Sequence, residues 1–122
     1  MNQPLAYIHP QAKIARNVVV EPFTTINNDV EIGSGTWIGS NVTIMEGARI
    51  GKNCRIHSGV NIGEKNGFPE IGCNVYIGPG AKIFGPIKIG NNVKVGANAV
   101  VTKSFQDNVV IAGIPAKIIK YL

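Results

Sequence analysis

The sequence predicts an all-β solenoid of hexapeptide repeats, because a branched aliphatic residue recurs every six residues along almost the whole chain. A period of six fits neither the roughly 3.6 residues of a helical turn nor the two-residue alternation of a lone strand. Short fixed periods are instead typical of parallel β-helices. The phase shifts once, by three residues, between Ile62 and Ile71. The full series is Ile8, Ile14, Val20, Ile26, Ile32, Ile38, Ile44, Ile50, Ile56, Ile62, Ile71, Ile77, Ile83, Ile89, Val95 and Val101.

A second row of small or β-branched residues follows the aliphatic row at a distance of four residues. Positions four residues apart face the same side of an extended backbone, so both rows are expected to line the interior. The residue before each aliphatic one is mostly polar and is expected to face solvent. The second row contains Ala12, Val18, Thr24, Val30, Thr36, Val42, Ala48, Cys54, Val60, Val75, Ala81, Ile87, Val93 and Ala99.

The fourth position of the repeat predicts a corner of the chain. It holds Gly, Asn or Asp, which adopt a positive φ at little steric cost. Three short strands and three corners, about 18 residues, close one triangular coil. We therefore expect one domain, residues 1–122, of about five coils that stack roughly 4.8 Å apart. The corner residues are Asn17, Asp29, Gly35, Asn41, Gly47, Asn53, Gly59, Asn74, Gly80, Asn92 and Asn98.

The net charge of +5 lies in the second half of the chain. Residues 1–70 carry equal numbers of basic and acidic side chains, whereas residues 71–122 carry six lysines against Asp107 alone. A basic end suits a phosphorylated ligand; solvated lysines that keep the solenoid soluble are the alternative. Lys82, Lys88 and Lys94 are six residues apart and so point to three different faces. That placement argues against a nucleic-acid partner, which needs one basic stripe.

Cysteine content and hydropathy predict a cytoplasmic protein. The sequence shows no charged-then-apolar leader and no apolar run of about 18 residues, so neither export nor a membrane partner is expected. Two cysteines cannot define a disulfide framework, because Cys54 belongs to an interior row and Cys73 to a different column. Two unpaired thiols are typical of a reducing compartment.

Two known families of hexapeptide acyltransferases resemble different parts of the chain. Residues 1–56, with YIHPQAKIARNVVVEPFTTI and IGSGTWIGSNVTIMEGARIGKNC, resemble the start of UDP-N-acetylglucosamine acyltransferases of lipid A synthesis. Residues 50–122, with IGKNCRIHSGVNIG, FPEIGCNVYIGPGAKIFGPIKIG, VGANAVVTKSF and VIAGIPAKII, resemble the C-terminal half of serine O-acetyltransferases. The resemblance implies a left-handed parallel β-helix, an exception to the usual right-handed crossover. It also suggests a chimera, either a natural recombinant or an engineered fusion.

The two resemblances divide the single domain. Residues 1–56 form the lipid A acyltransferase-like coils, and residues 57–105 form the serine acetyltransferase-like coils with an insertion at 64–69. The insertion is expected either to lean over a ligand, as in related acetyltransferases, or to be a tolerated surface loop. Residues 106–122 are a C-terminal cap segment, in which 107–114 is expected to leave the helix and cover the last coil.

The usual catalytic histidine of the resembling acetyltransferases is missing here. Acetyl transfer from a thioester to a hydroxyl needs a general base, normally a histidine, and donors for the oxyanion. The resemblance implies acetyl-CoA as co-substrate but puts the family's histidine at Ile38, with its acidic partners at Trp37 and near Phe23. An aliphatic side chain accepts no proton, so any activity is expected to be weak.

His57 is the candidate catalytic residue. Stacking by coils places it in a column with Gly39, Gly78 and Gly96, which is expected to leave room beside its ring. It lies one coil, roughly 5 Å, from the family's position. A plain surface or subunit-contact role is the alternative, because no acidic orienting residue is evident. His9 is assigned to capping the first coil.

The resemblance implies that coenzyme A binds along the glycine-rich outer edge of the later coils. Pantetheine needs close approach to the backbone, and lysines meet the phosphates as point charges. No metal is expected, since the hexapeptide carbonic anhydrases need three zinc-binding histidines per site and this chain has two histidines. The expected cofactor-binding residues are Gly78, Pro79, Gly80, Ala97, Lys103 and Lys117.

One outer column alternates aromatic and cationic residues, which permits cation–π stacking. It contains Val19, Trp37, Arg55, Tyr76 and Lys94. An outward tryptophan on a slim prism indicates a contact in a homotrimer, and a self-contained exterior ladder is the alternative. The function expected is a weak acetyl-CoA-dependent O-acetyltransferase acting on a small-molecule hydroxyl; the alternative is a catalytically inactive trimeric scaffold.

Overall fold

The computed structural model describes residues 5–63 and 67–122, all of them in strands, turns and corners. Within these ranges no helix is long and apolar enough to cross a membrane. Sixteen two-residue strands follow one another, and each ends on the aliphatic residue of its repeat. They are β1 Tyr7–Ile8, β2 Lys13–Ile14, β3 Val19–Val20, β4 Thr25–Ile26, β5 Glu31–Ile32, β6 Trp37–Ile38, β7 Thr43–Ile44, β8 Arg49–Ile50, β9 Arg55–Ile56, β10 Asn61–Ile62, β11 Glu70–Ile71, β12 Tyr76–Ile77, β13 Lys82–Ile83, β14 Lys88–Ile89, β15 Lys94–Val95 and β16 Val100–Val101.

These strands form the three faces of a prism. The first face is the six-stranded sheet β1-β4-β7-β10-β13-β16, the second is the five-stranded sheet β2-β5-β8-β11-β14, and the third begins with β3-β6-β9-β12-β15. Every third strand pairs in parallel, so equivalent residues stack from coil to coil. The predicted left-handed parallel β-helix is confirmed. Its first face is six strands tall, so the prism has about six coils rather than about five.

The interior is filled by the two predicted rows. Of the sixteen aliphatic residues, all but Ile8 and Ile14 are buried, and those two lie half-buried in the first coil. Stacking places like side chains on one another in neighbouring coils, as where Ile38 pairs with Ile56. Because each coil contacts only its neighbours, stability accumulates coil by coil.

The predicted corners are confirmed. All eleven corner residues have positive φ, between 56° and 85°. Phe23 occupies the same position in its repeat and has a φ of 67°, although its side chain is 61% exposed. The six-residue period imposes the corner, even on a bulky residue for which the left-handed region is unfavourable.

The end of the helix differs from the expected cap. Strand β17, Val109–Ala112, stays in the third face and pairs in parallel with β15. Val109 and Ile111 are fully buried, so β17 continues the inward rows as another rung. The chain then reverses, and β18, Lys117–Tyr121, pairs antiparallel with β17. The strand that covers the edge is therefore β18, not the 107–114 segment.

Only part of the insertion at 64–69 can be placed, because residues 64–66 lie outside the described ranges. Its later residues fold back against the prism. The Phe68 ring covers the corner at Gly47 so closely that a β-carbon added there would lie 2.7 Å from Phe68 Cδ1. Since Phe68 is itself 53% exposed, this segment forms a raised edge beside the first face.

Candidate active site

The third face carries the aromatic and cationic column expected from the sequence. Strand register places Val19 beside Trp37, Trp37 beside Arg55, Arg55 beside Tyr76 and Tyr76 beside Lys94. Side chains at these positions precede the buried aliphatic residue of their strand and therefore point outward. The column is a continuous stripe along one face.

His57 lies beside this stripe, immediately after β9. Its ring centre is 5.3 Å from that of Trp37, edge-on, and 5.0 Å from that of Tyr76. The side chain is half-buried. Its backbone N–H donates to Ile77 O at 3.0 Å, whereas its ring nitrogens have no hydrogen-bond partner among the described residues. The imidazole is thus held by aromatic contacts and retains a free proton-accepting nitrogen.

Trp37 is fixed by a residue that sequence reasoning missed. Its Nε1–H donates to Glu21 Oε2 at 3.2 Å, and the Arg55 guanidinium lies 5.3 Å from the ring centre. Glu21 belongs to the same column as Gly39 and His57, so stacking the sequence by coils was enough to find it. The carboxylate therefore orients the indole and not the imidazole.

Ile38, at the position of the family's histidine, is fully buried and lies in the aliphatic interior. It can neither accept a proton nor reach the surface. His9, the other histidine, accepts a hydrogen bond from the Gln11 N–H at its Nδ1 at 3.0 Å, as expected of a capping residue. Among the described residues, His57 is the one histidine that is free to act as a base.

The expected pantetheine residues come together at one corner, where the third face turns into the first. The Asn98 N–H donates to Pro79 O at 2.9 Å, which joins the corners 78–80 and 96–98 of neighbouring coils. Gly78 also has a packing role, since a β-carbon there would lie 2.7 Å from Ala97 N. Pro79 and Ala97 are exposed. Trp37 fills part of the expected space beside His57, because a β-carbon at Gly39 would lie 3.1 Å from its Cη2.

The two expected phosphate ligands are separated. Lys117 is exposed and pairs with Ala112, which stacks on Gly96. It therefore ends the column that contains His57 and lies four rungs, or roughly 19 Å, from that residue. Lys103 follows β16 at the corner between the first and second faces, with Nζ 5.6 Å from the Phe105 ring centre. The structure brings Lys117, but not Lys103, to the edge that carries Gly78.

The second face is electrostatically different from the third. Its outward column alternates in charge, and Glu31 and Glu70 interact with Arg49 and Lys88 at 3.7 and 3.4 Å. Exposed pairs of this kind contribute little stability. They keep this face solvated, whereas Arg55 and Lys94 on the third face have no ion-pair partner among the described residues. The outward column is Lys13, Glu31, Arg49, Glu70 and Lys88.

Neither cysteine offers a second reaction centre. Cys54 is fully buried, and burial raises the pKa of its thiol above the ordinary value of 9.0. Cys73 is half-buried, and its Sγ accepts a hydrogen bond from the Lys52 N–H at 3.4 Å. Within 5–63 and 67–122, no group of three potential metal ligands lies together.

Comparison with known proteins identifies the family. Residues 29–64 and 68–103, more than half of the chain, match the bacterial transferase hexapeptide (six repeats) model. The chain belongs to this family.

Two of the curated relatives that the chain matches are serine acetyltransferases. A serine acetyltransferase of Buchnera aphidicola subsp. Schizaphis graminum is 54% identical over 56 residues, which are 46% of this chain and 22% of the relative. A serine acetyltransferase of Mycobacterium tuberculosis is 49% identical over 51 residues, 42% of this chain and 22% of the relative. The chain thus spans about a fifth of the length of these relatives.

Solved structures give the same fold. A serine O-acetyltransferase from Brucella melitensis superposes with a TM-score of 0.73 at 38% identity, covering 76% of this chain and 39% of that one. An N-acyltransferase from Bacillus cereus superposes with a TM-score of 0.93 over 98% of this chain and 80% of its own. Its identity is 23%, so the likeness concerns the fold alone.

Proposed function

We propose that the protein is an acetyl-CoA-dependent O-acetyltransferase of the serine acetyltransferase type, with His57 as its general base. The observation that carries the proposal is the free ring nitrogen of His57 on the outer surface of a transferase hexapeptide fold. In this reaction the imidazole takes the proton of the acceptor hydroxyl, and the hydroxyl oxygen attacks the thioester carbonyl. The tetrahedral intermediate then expels the coenzyme A thiolate.

Turnover is expected to be weak. No carboxylate hydrogen-bonds to His57 among the described residues, so the rings of Trp37 and Tyr76 orient the imidazole but do not select its tautomer. The usual base position is occupied by buried Ile38. A positioned base contributes about 10²–10⁴-fold to such a reaction, and part of that contribution is lost here.

Coenzyme A is proposed to lie along the corner that carries Gly78, Pro79, Gly80 and Ala97, with its phosphates toward Lys117. A perosamine N-acetyltransferase variant from Caulobacter crescentus, solved in complex with CoA and GDP-perosamine, supports this co-substrate at 27% identity and a TM-score of 0.60. Lys103, on another edge, reaches the same ligand only if a second subunit closes the cleft.

We further propose a homotrimer in the cytoplasm. The second face is covered by ion pairs, which leaves the third face, with Trp37 and Tyr76 directed outward, as the better contact surface. In such a trimer, the ligand sites would lie in the clefts between neighbouring prisms. The free thiols of Cys54 and Cys73 suit a reducing compartment.

The second candidate function is a catalytically inactive trimeric scaffold, a natural recombinant or an engineered chimera of two β-helices. The burial of Ile38 favours it, and so does the lack of a carboxylate partner for His57 in the part of the chain that the structure describes. The test combines coenzyme A release from acetyl-CoA, measured with a panel of hydroxyl acceptors, with calorimetric titration of coenzyme A. Acceptor-dependent release supports the enzyme; neither release nor binding supports the scaffold.

A further inference from the structure

We propose that Arg55 is the recognition site for an anionic group, a carboxylate or a phosphate, on the acceptor that His57 deprotonates. The inference rests on the proposed acetyltransferase function and names the chemical class of its acceptor. Arg55 is exposed, and no carboxylate of the described residues lies within 4.0 Å of its guanidinium.

Arg49, one repeat earlier, shows what a structural arginine does in this fold. Its guanidinium contacts the Asp29 carboxylate at 3.2 Å and the Glu31 carboxylate at 3.7 Å, and it also donates to the Gly47 carbonyl at 3.1 Å. Both charge and donors are satisfied within the prism. Arg55 has no such partner within residues 5–63 and 67–122, so its fork of N–H donors is available to a ligand.

The side chain of Arg55 is nevertheless positioned. It stacks at 5.3 Å from the centre of the Trp37 ring, and the Glu21 carboxylate holds that ring by its Nε1–H. This cation–π contact positions the guanidinium without using its N–H donors. The next residues of this column are Tyr76 and Lys94, so none of its side chains is acidic. The column therefore attracts anions.

The spacing limits the size of the acceptor. Arg55 in β9 and His57 just after it are two residues apart and both point outward, which corresponds to roughly 7 Å along extended backbone. A molecule that offers its anion to Arg55 and its hydroxyl to His57 must hold the two groups a few bonds apart. Hydroxy amino acids and sugar phosphates share this chemistry, whereas neutral sugars and amino alcohols lack the anion.

Binding is tested first, without turnover. Trp37 is the single tryptophan, so its emission reports ligands at Arg55 directly. Two pairs of ligands are titrated into the protein: serine with serinamide, and glucosamine 6-phosphate with glucosamine. Calorimetry is a second readout of binding that does not depend on the indole. We expect the anionic member of at least one pair to bind at least tenfold more tightly. Arg55→Gln should abolish that preference, and Arg55→Lys should restore it in part.

Lys82→Gln is the matched control, because it removes one exposed positive charge from the first face. If Lys82→Gln weakens anion binding as much as Arg55→Gln does, or if acceptors with and without the anionic group bind alike, the inference is overturned. The proposed function fails separately, through lack of turnover with every acceptor.

If turnover is present, Arg55→Gln should raise KM for the anionic acceptor at least tenfold with kcat changed less than threefold. An equal fall in kcat for neutral and anionic acceptors would assign Arg55 another role.

Discussion

Single side chains decide the chemistry at the residue scale. Ile38 and His57 belong to neighbouring coils of one face, yet one points inward and the other outward. The difference of one position in the repeat separates a residue that packs from a residue that can react, because side-chain direction alternates along extended backbone.

Replacing His57 by Ala should abolish acetyl transfer and leave the fold intact. The imidazole is half-buried and lies outside the aliphatic interior, so its removal creates no cavity between coils. The measurement is coenzyme A release beside the melting temperature of the same sample. Robust serine acetylation by the variant would mean that another group is the base.

Burial of Cys54 predicts a pH dependence of stability. Burial raises the pKa of its thiol in the folded state above 9.0, so the folded chain holds this proton more tightly than the unfolded chain. The contribution is complete below about pH 9, and stability falls as the pH rises toward the folded pKa. Urea denaturation between about pH 7 and 10 should show this fall in the parent and in Cys73→Ala. It should be smaller in Cys54→Ala, and identical slopes in all three would contradict the assignment.

Corners are the informative parts at the element scale. Asn, Gly and, once, Asp marked eleven of them in the sequence, because few other residues tolerate positive φ. The corner at Phe23 carried no such mark, and only the fold shows that its neighbours force it. The cap at β17 was misplaced for a related reason: burial of Val109 and Ile111 keeps that strand in the sheet, and a single repeat past the last full coil shows no periodicity.

Phe23→Asn should stabilise the protein by about 1 kcal/mol, the approximate cost of the left-handed region for an ordinary residue. Asn occupies most equivalent corners and tolerates this conformation. Phe23→Ala is the control, because alanine keeps the β-carbon and should bring no comparable gain. Denaturant titration measures all three proteins, and equal stabilities for Asn and Ala would show that the φ of residue 23 costs nothing.

The whole molecule is a stack whose cohesion comes from repeated interior contacts. Ile44→Asp should cost several kcal/mol, because it buries an unpaired charge between coils. Thr43→Asp, one residue earlier on the outward side, should change the free energy of unfolding far less. Thermal melting distinguishes them. A melt for Ile44→Asp within a degree or two of the parent would mean that the interior assignment is wrong.

Assembly can be measured directly. A homotrimer should scatter light with three times the 13.0 kDa mass of one chain at micromolar concentration. Trp37→Glu should lower that mass, because it sets a carboxylate in the outward stripe of the third face. The matched substitution Lys13→Glu on the solvated second face should leave it unchanged. Monomer alone in the parent would remove the proposed subunit contact and the shared cofactor cleft.

The alignment of His57 with Lys117 along one edge has a consequence for how such genes can change length. Duplicating eighteen codons inserts one complete coil. Every downstream residue then stays on the same face of the prism and moves one strand spacing along the axis. Duplicating six codons turns the downstream half by a third of a revolution, which would carry Lys117 away from the edge that His57 faces. Insertions, deletions and fusions in such proteins must therefore comprise whole coils if a site that spans several coils is to be preserved.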